Sequence, residues 1–251
     1  MYRILIAIFS LILFTCDLPH ELGSQPTEII PTNFEPGHNI LGVIRLDDKA
    51  NSSFVRVERA YQNEEFSDIF SVLIENAIVT IRQDTNKYTF TPVTDSIRGF
   101  IYTNFQFKPL EGKQYFLSIK SPDLPDVTAD TKIPSRPIVI DSSINVTEKQ
   151  IKFTIKLSSD IKLYEVFILS ETDDISRRLS NDDKDLLIEI NLSKLNGTPK
   201  LIEVYGYESN LAKYLSSSFT IKPQTFHEIV STVNDGYGCF GALSKTTVNL
   251  N

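Results

Sequence analysis

From about position 40 to the C-terminus, apolar and polar residues alternate in short runs. Ala77, Val79 and Ile81 alternate with Ile78, Thr80 and Arg82, and Tyr88 and Phe90 alternate with threonines. Successive side chains of a strand point to opposite faces, so this period of two puts one face of each segment in a core. The pattern recurs over residues 41–46 and 54–59, in Tyr115, Leu117 and Ile119, and in Val127 and Ala129 of a strand ending at Ile133. Phe105 and Phe107 read as a strand joined to Tyr115 through a turn at Leu110-Glu111-Gly112-Lys113, making a hairpin. Pro134-Ser135-Arg136-Pro137 cannot continue a ladder and marks a domain edge.

The second half repeats the style. Ile151, Phe153 and Ile155 alternate with lysine and threonine, as do Leu186, Ile188 and Ile190 with their neighbours, and residues 201–207 form another run. Residues 164–169 are apolar apart from Glu165, the pattern of a strand covered on both faces. Leu211, Tyr214 and Leu215 fall at helical spacing, with Ser209 or Asn210 as the cap of one or two turns. Phe219, Ile221, Ile229, Val233 and residues 246–250 supply the closing strands. The expectation is an all-β protein of two sandwich domains in tandem, 37–135 and 136–251, with one short helix in the second.

The N-terminus breaks this pattern. Arg3 is followed by an apolar run from Ile4 to Phe14, interrupted only by Ser10. Roughly eleven residues fall short of the ~20 needed to span a bilayer, so residues 1–15 read as a cleaved export signal. Leu13-Phe14-Thr15-Cys16 resembles a bacterial lipobox, which makes Cys16 the candidate lipidation site. Residues 16–36 carry Pro19, Pro26, Pro31 and Pro36 among polar residues and read as an extended tether. The chain has two cysteines, too few for a disulfide framework, and Cys239 reads as a small buried hydrophobe.

Charge narrows the partners. With 25 basic against 32 acidic side chains the net charge is −7, and no Lys/Arg cluster stands out along the sequence, which argues against nucleic acid. Catalytic chemistry has little to work with. The three histidines are His20, His38 and His227, no G-x-S-x-G elbow occurs, and the Cys239/His227 pair is the sole Cys/His pair of the body. Gly236-Tyr237-Gly238-Cys239-Phe240-Gly241 fits a dinucleotide fingerprint by letter, yet too few residues follow for the helix and the acid it requires. These glycines read instead as a turn with positive φ and close backbone packing. Glu171, Asp173, Asp174, Asp182, Asp183 and Asp185 crowd a polar segment that fails the calcium-loop template and reads as a solvated loop. No metal, cofactor or catalytic residue is expected.

Two stretches point to recognition. In residues 61–73, Tyr61 precedes Phe66, Ile69, Phe70 and Leu73 at i, i+3, i+4 and i+7 spacing. Tyr61, Phe66 and Phe70 are the candidate partner-binding residues, the alternative being a plug packed onto the sandwich. Asp95-Ser96-Ile97 has the form of the Asp-Ser/Thr-apolar site glycosylated in exported Bacteroidota proteins, which makes Ser96 the candidate O-glycosylation site.

Taken in order, several pieces resemble the Bacteroidota lipoprotein family known as domain of unknown function 4249. They are the lipobox Cys16, Leu41-Gly42-Val43-Ile44, Val55-Arg56-Val57, Ala77-Ile78-Val79-Thr80-Ile81 and Gly112-Lys113-Gln114-Tyr115. Val127 to Pro134, Tyr214-Leu215 and Asn234 to Ala242 complete the series, so the resemblance covers nearly the whole chain. It implies an N-terminal immunoglobulin-like or carboxypeptidase-regulatory-like sandwich followed by a second β domain. It also implies a gene neighbourhood containing TonB-dependent receptors, and it carries no catalytic residues. The functional expectation is therefore a non-enzymatic lipoprotein of the outer membrane, its face left open, that partners such a receptor. The alternatives are a structural or adhesive surface protein and a hydrolase of an external polymer.

Overall fold

The computed structural model describes residues 35–47, 49, 51–60, 72–181, 185–218 and 230–250. The chain divides into two units, Met1–Glu35 and Pro36–Asn251. The second unit is mostly β. Its strands are β1 His38–Leu46, β2 Phe54–Arg59, β3 Ile78–Gln83, β4 Asn86–Asp95, β5 Gly99–Thr103, β6 Gln114–Ser121, β7 Leu124–Lys132, β8 Ile138–Val139 and β9 Asn145–Val146. They continue with β10 Gln150–Lys156, β11 Leu163–Leu169, β12 Asp174–Ser180, β13 Leu186–Asn191 and β14 Leu201–Tyr207. Helix α1, Ser209–Ser218, precedes the last strand, β15 Tyr237–Asn249.

An eleven-stranded path runs β12-β11-β14-β15-β1-β2-β5-β4-β3-β6-β7, and β13-β10-β8 form a separate sheet with β9 beside β10. Strand β4 turns the long path into two layers. Its first half pairs with β3 and its second half with β5, so β3, β6 and β7 fold back over β1 and β2. Between the layers lies the first core, where Ile40, Ile44, Val55, Val79, Ile81, Leu117 and Ile119 are buried with Phe240 and Ala242. The second core lies between β11/β14 and β10/β13, filled by Phe153, Ile155, Val166, Ile168, Ile188, Ile202 and Val204. Both follow from the alternation: Ile151, Phe153 and Ile155 are buried while the lysines and threonine between them are not.

Strand β15 joins the two cores. It runs parallel to β1 from Tyr237 to Ser244 and antiparallel to β14 from Leu243 to Asn249. Its second face, with Val43 of β1, is covered by Leu211 and Ala212 of α1. Burial on both faces is what a parallel pair requires. The glycines at its start serve this packing. Gly238 has φ +101°, and a Cβ there would lie 2.0 Å from the Ile40 carbonyl oxygen; one on Gly241 would lie 2.7 Å from Leu211 Cβ. A strand follows the glycines, and no nucleotide-binding helix does.

Four local expectations change. Residues 104–109 form no strand, so the 110–113 turn does not close a hairpin; Phe105 is exposed while Phe107 packs edge-on against Tyr88, Phe90 and Tyr115 at 5.0, 5.3 and 5.6 Å. The polar 171–185 segment contains β12, an edge strand pairing only with β11. Ile175 and Leu179 pack against the second core, and the charged residues around them suit an edge exposed to solvent. Within β11 burial alternates, so it is not fully covered on both sides. Helix α1 spans ten residues and is capped by Glu208, not by Ser209 or Asn210. The carboxylate accepts from the amides of Asn210 and Leu211 at 2.7 and 2.9 Å and from Ala242 of β15 at 3.1 Å. Burial pushes the Glu208 carboxyl above the usual carboxylate range.

The linker between the cores is pinned. Ser135 donates through its amide to Asp160 at 2.8 Å, and its carbonyl accepts from Ser244 Oγ at 2.6 Å. Arg136 Nη1 donates to the Lys245 carbonyl, and Thr246 Oγ1 to the Pro137 carbonyl, both at 2.6 Å.

Candidate functional site

The chain enters the body at Gly37, where its carbonyl accepts from the Ala60 amide at 2.7 Å. Residue His38 opens β1. Its ring is buried, Nε2 lies 2.9 Å from Ser121 Oγ, and burial lowers its pKa below the usual histidine value. At the other end of β1, the β1–β2 connection, the β4–β5 turn, the β5–β6 loop and the linker meet around a cleft. The interval from His38 to Arg45 spans seven strand steps, roughly 23 Å.

The cleft is a hollow of about 330 Å³ lined by Arg45, Lys49, Asn51, Phe105, Lys108 and Arg136, among others. A second hollow of about 260 Å³ adjoins it, sharing Arg45, Lys49, Asn51 and Ser52 and adding Asp95, Ile97 and Arg98. Arginines fix the walls. Arg45 Nε donates to Asp47 at 3.0 Å and its amide to Ser53 Oγ at 3.0 Å. Arg98 donates from Nη1 to the carbonyls of Asn51 and Ser52 at 3.0 and 3.3 Å, and from Nη2 to Asp95 at 2.8 Å. Its guanidinium also lies 5.3 Å from the Phe54 ring centroid. This clip ties the β4–β5 turn to the β1–β2 connection, and Asn51 sits at φ +58° beneath it. The Arg98 guanidinium beside Asp95, with the Arg98 and Ile97 amides, holds that carboxyl well below the usual range.

Charge is unevenly distributed here. Among the described lining residues of the two hollows there are five cations, Arg45, Lys49, Arg98, Lys108 and Arg136, against the carboxylates Asp47 and Asp95. Both carboxylates are held by arginines, which leaves neither as an obvious proton donor or acceptor for a substrate. Phe105, 68% exposed, forms an apolar wall. A shallower hollow lies on the outer face of β3, β6 and β7, where the Arg82 guanidinium sits 4.8 Å from the Phe116 ring centroid.

Of the site residues expected from sequence, Ser96 is exposed at the tip of the β4–β5 turn, beside the smaller hollow. Cys16, Tyr61, Phe66 and Phe70 lie outside the described residues. The described residues flanking the aromatic segment, Ala60 and Val72, lie near the entry: Glu58 bridges to Leu73, and the Ile74 amide donates to Val57. Cys239 is fully buried, and burial pushes its thiol up to about 12. His227 is outside the described residues. In the acidic segment, Asp173 accepts from the Asn196 amide at 3.0 Å, Glu171 pairs with Lys200, and Asp185 accepts from the Leu157 amide. No group of three or more His, Cys, Asp or Glu suited to a metal occurs among the described residues. Among them, too, no helix is long and apolar enough to cross a membrane.

Sequence reasoning missed the cleft. Its cations come from the end of β1 and from four connections and never stand together in the chain, so no local cluster announces them; the single local sign is the Asp95 to Gly99 turn.

Comparison with known proteins adds a family and little else. No curated protein is detectably similar to the chain. Among solved structures, the crystal structure of the chicken CNTN1 FN1–FN3 domains is similar at 14% identity and a TM-score of 0.29, over 88% of this chain and 67% of that one. The model of the family described as domain of unknown function (DUF4249) matches residues 45–249, and the chain belongs to that family.

Proposed function

We propose that the protein is a non-enzymatic binding module, anchored in the outer membrane by acyl chains on Cys16 and acting as accessory partner of a TonB-dependent receptor. The observation that carries this reading is the opposition of entry and cleft. The chain joins the body at Gly37, and the loops that build the cleft lie at the far end of β1. Within the body, the entry and the cleft thus stand at the two ends of one strand. Tethering raises the effective concentration of a weakly binding site for any membrane neighbour. The pinned linker supports a binding role as well, because Arg136 forms part of the cleft wall and keeps its place only when the linker that carries it is fixed.

The test is affinity purification of the full-length protein from native outer membranes, together with fractionation of Cys16→Ser. The expected result is a large β-barrel receptor in the purified material and release of the variant into the soluble fraction. A variant that stays in the membrane overturns the lipid anchor. Absence of any barrel, with surface attachment lost on deletion, replaces the receptor role by adhesion.

A further inference from the structure

We propose that the cleft formed by the first core's loops beside the linker binds a small, multiply charged oxyanion whose ring or apolar portion lies on Phe105. This deepens the binding-module reading by naming the ligand of the same site.

The protein as a whole repels anions, with a net charge of −7, yet among the described residues the two adjoining hollows gather five cations against two carboxylates. Like charges in a concave site repel one another, and the fold offsets only part of that repulsion. Arg45 and Arg98 are each paired with an aspartate, and Arg136 holds the Lys245 carbonyl. Lys49 and Lys108 are different. Among the described residues, neither ammonium has a carboxylate or hydrogen-bond partner, so neither holds the structure together. Two lysines without a partner among the described residues, on separate loops beside arginines held by their own partners, supply positive charge that a bound anion can use.

The dimensions set the class of ligand. A hollow of about 330 Å³ is at the small-molecule scale and too confined for a helix or a nucleic-acid strand. Phe105 supplies the apolar contact: it stands 68% exposed beside Lys108, while the neighbouring Phe107 is buried in the core. A ring bearing several carboxylates satisfies both features, whereas inorganic phosphate satisfies the charge alone.

The experiment uses full-length protein in detergent with no receptor present, so its failure is separable from failure of the receptor partnership. Titration calorimetry at low ionic strength is run with benzene-1,3,5-tricarboxylate, citrate and inorganic phosphate. Saturable binding is expected, with the aromatic tricarboxylate tightest. The double variant K49E/K108E is expected to lose at least tenfold in affinity while keeping the wild-type melting temperature. The control K194E/K213E, which makes the same change in net charge at exposed positions that line neither hollow, is expected to lose less than twofold. F105A should remove the preference for the aromatic ring over citrate and leave citrate affinity within twofold. Phosphate binding as tightly as the tricarboxylate in wild-type protein assigns the site to inorganic anion and overturns the role of Phe105. Equal losses in the two double variants, or no saturable binding of any probe, overturn the proposal.

Discussion

Glu208 is the side chain whose removal should cost most for its size. Three backbone amides depend on it: those of Asn210 and Leu211 in the first turn of α1, and that of Ala242 in β15. The bonds to Leu211 and Ala242 are fully buried, so truncation strands two donors where water reaches poorly. Each stranded buried donor costs about 1–3 kcal/mol, and loss of an N-cap about 1 kcal/mol. Partial entry of water into the vacated space reduces the sum, so Glu208→Ala should destabilise by about 3–4 kcal/mol. For a chain of this size that lowers the melting temperature by about 10 °C, at about 2–4 °C per kcal/mol. Urea unfolding followed by circular dichroism measures it, and a loss below about 1 kcal/mol would refute the reasoning. Titration gives a second reading. Burial raises the folded pKa of Glu208, so its contribution is fully present below the ordinary glutamate pKa of about 4.3 and is lost as pH rises through the raised value. Glu208→Gln fixes a neutral group of the same shape. Its stability relative to wild type should therefore improve as pH rises across that window. An unchanged difference would mean that the carboxylate is charged in the folded protein throughout.

Strand β15 supplies two more expected outcomes. Gly238→Ala places a Cβ against the Ile40 carbonyl in backbone that only glycine adopts readily, and should cost about 3 kcal/mol or more in urea unfolding; a loss under about 1 kcal/mol would show that the β1–β15 pair yields easily. The Cys239 thiol is buried and held up at about 12, so at pH 8 it should react with iodoacetamide at least ~100-fold more slowly in folded than in unfolded protein. Peptide mass spectrometry reads this directly, and comparable rates would contradict the packing under α1.

Alternation made the strands legible wherever one face is dry. Ile151, Phe153 and Ile155, or Tyr115, Leu117 and Ile119, declare their own inward face. Strand β12 escaped because an edge strand facing solvent carries Arg177 and Arg178 where an inner strand would carry Val or Ile. Phe105 and Phe107 misled for the opposite reason: i, i+2 spacing is shared by strands and by irregular loops that bury one ring and expose the next. Glu208 was overlooked as the cap because Ser and Asn are the better local caps, whereas a longer side chain alone reaches both the helix and β15. The glycines around Gly238 were readable as a close backbone approach, yet the partner they approach, Ile40, lies at the other end of the chain. The cleft was illegible for the same reason, since charges collected from the end of β1 and four loops cancel within an acidic total.

Strand β15, the last of the described elements in sequence order, lies inside the longest sheet, and that placement fixes an order of assembly. A polypeptide made or threaded N-terminus first has β1 and β14 long before it has the strand that separates them. Until residues 237–249 arrive, the first core lacks Phe240 and Ala242, and the cluster under α1 lacks Cys239 and Leu243. The long sheet is thus closed by residues 237–249, as an arch is by its last stone. Loss of the strand at 237–249 would leave two open half-structures with facing unpaired edges, whereas a chain still in transit stays pliable until that strand is through.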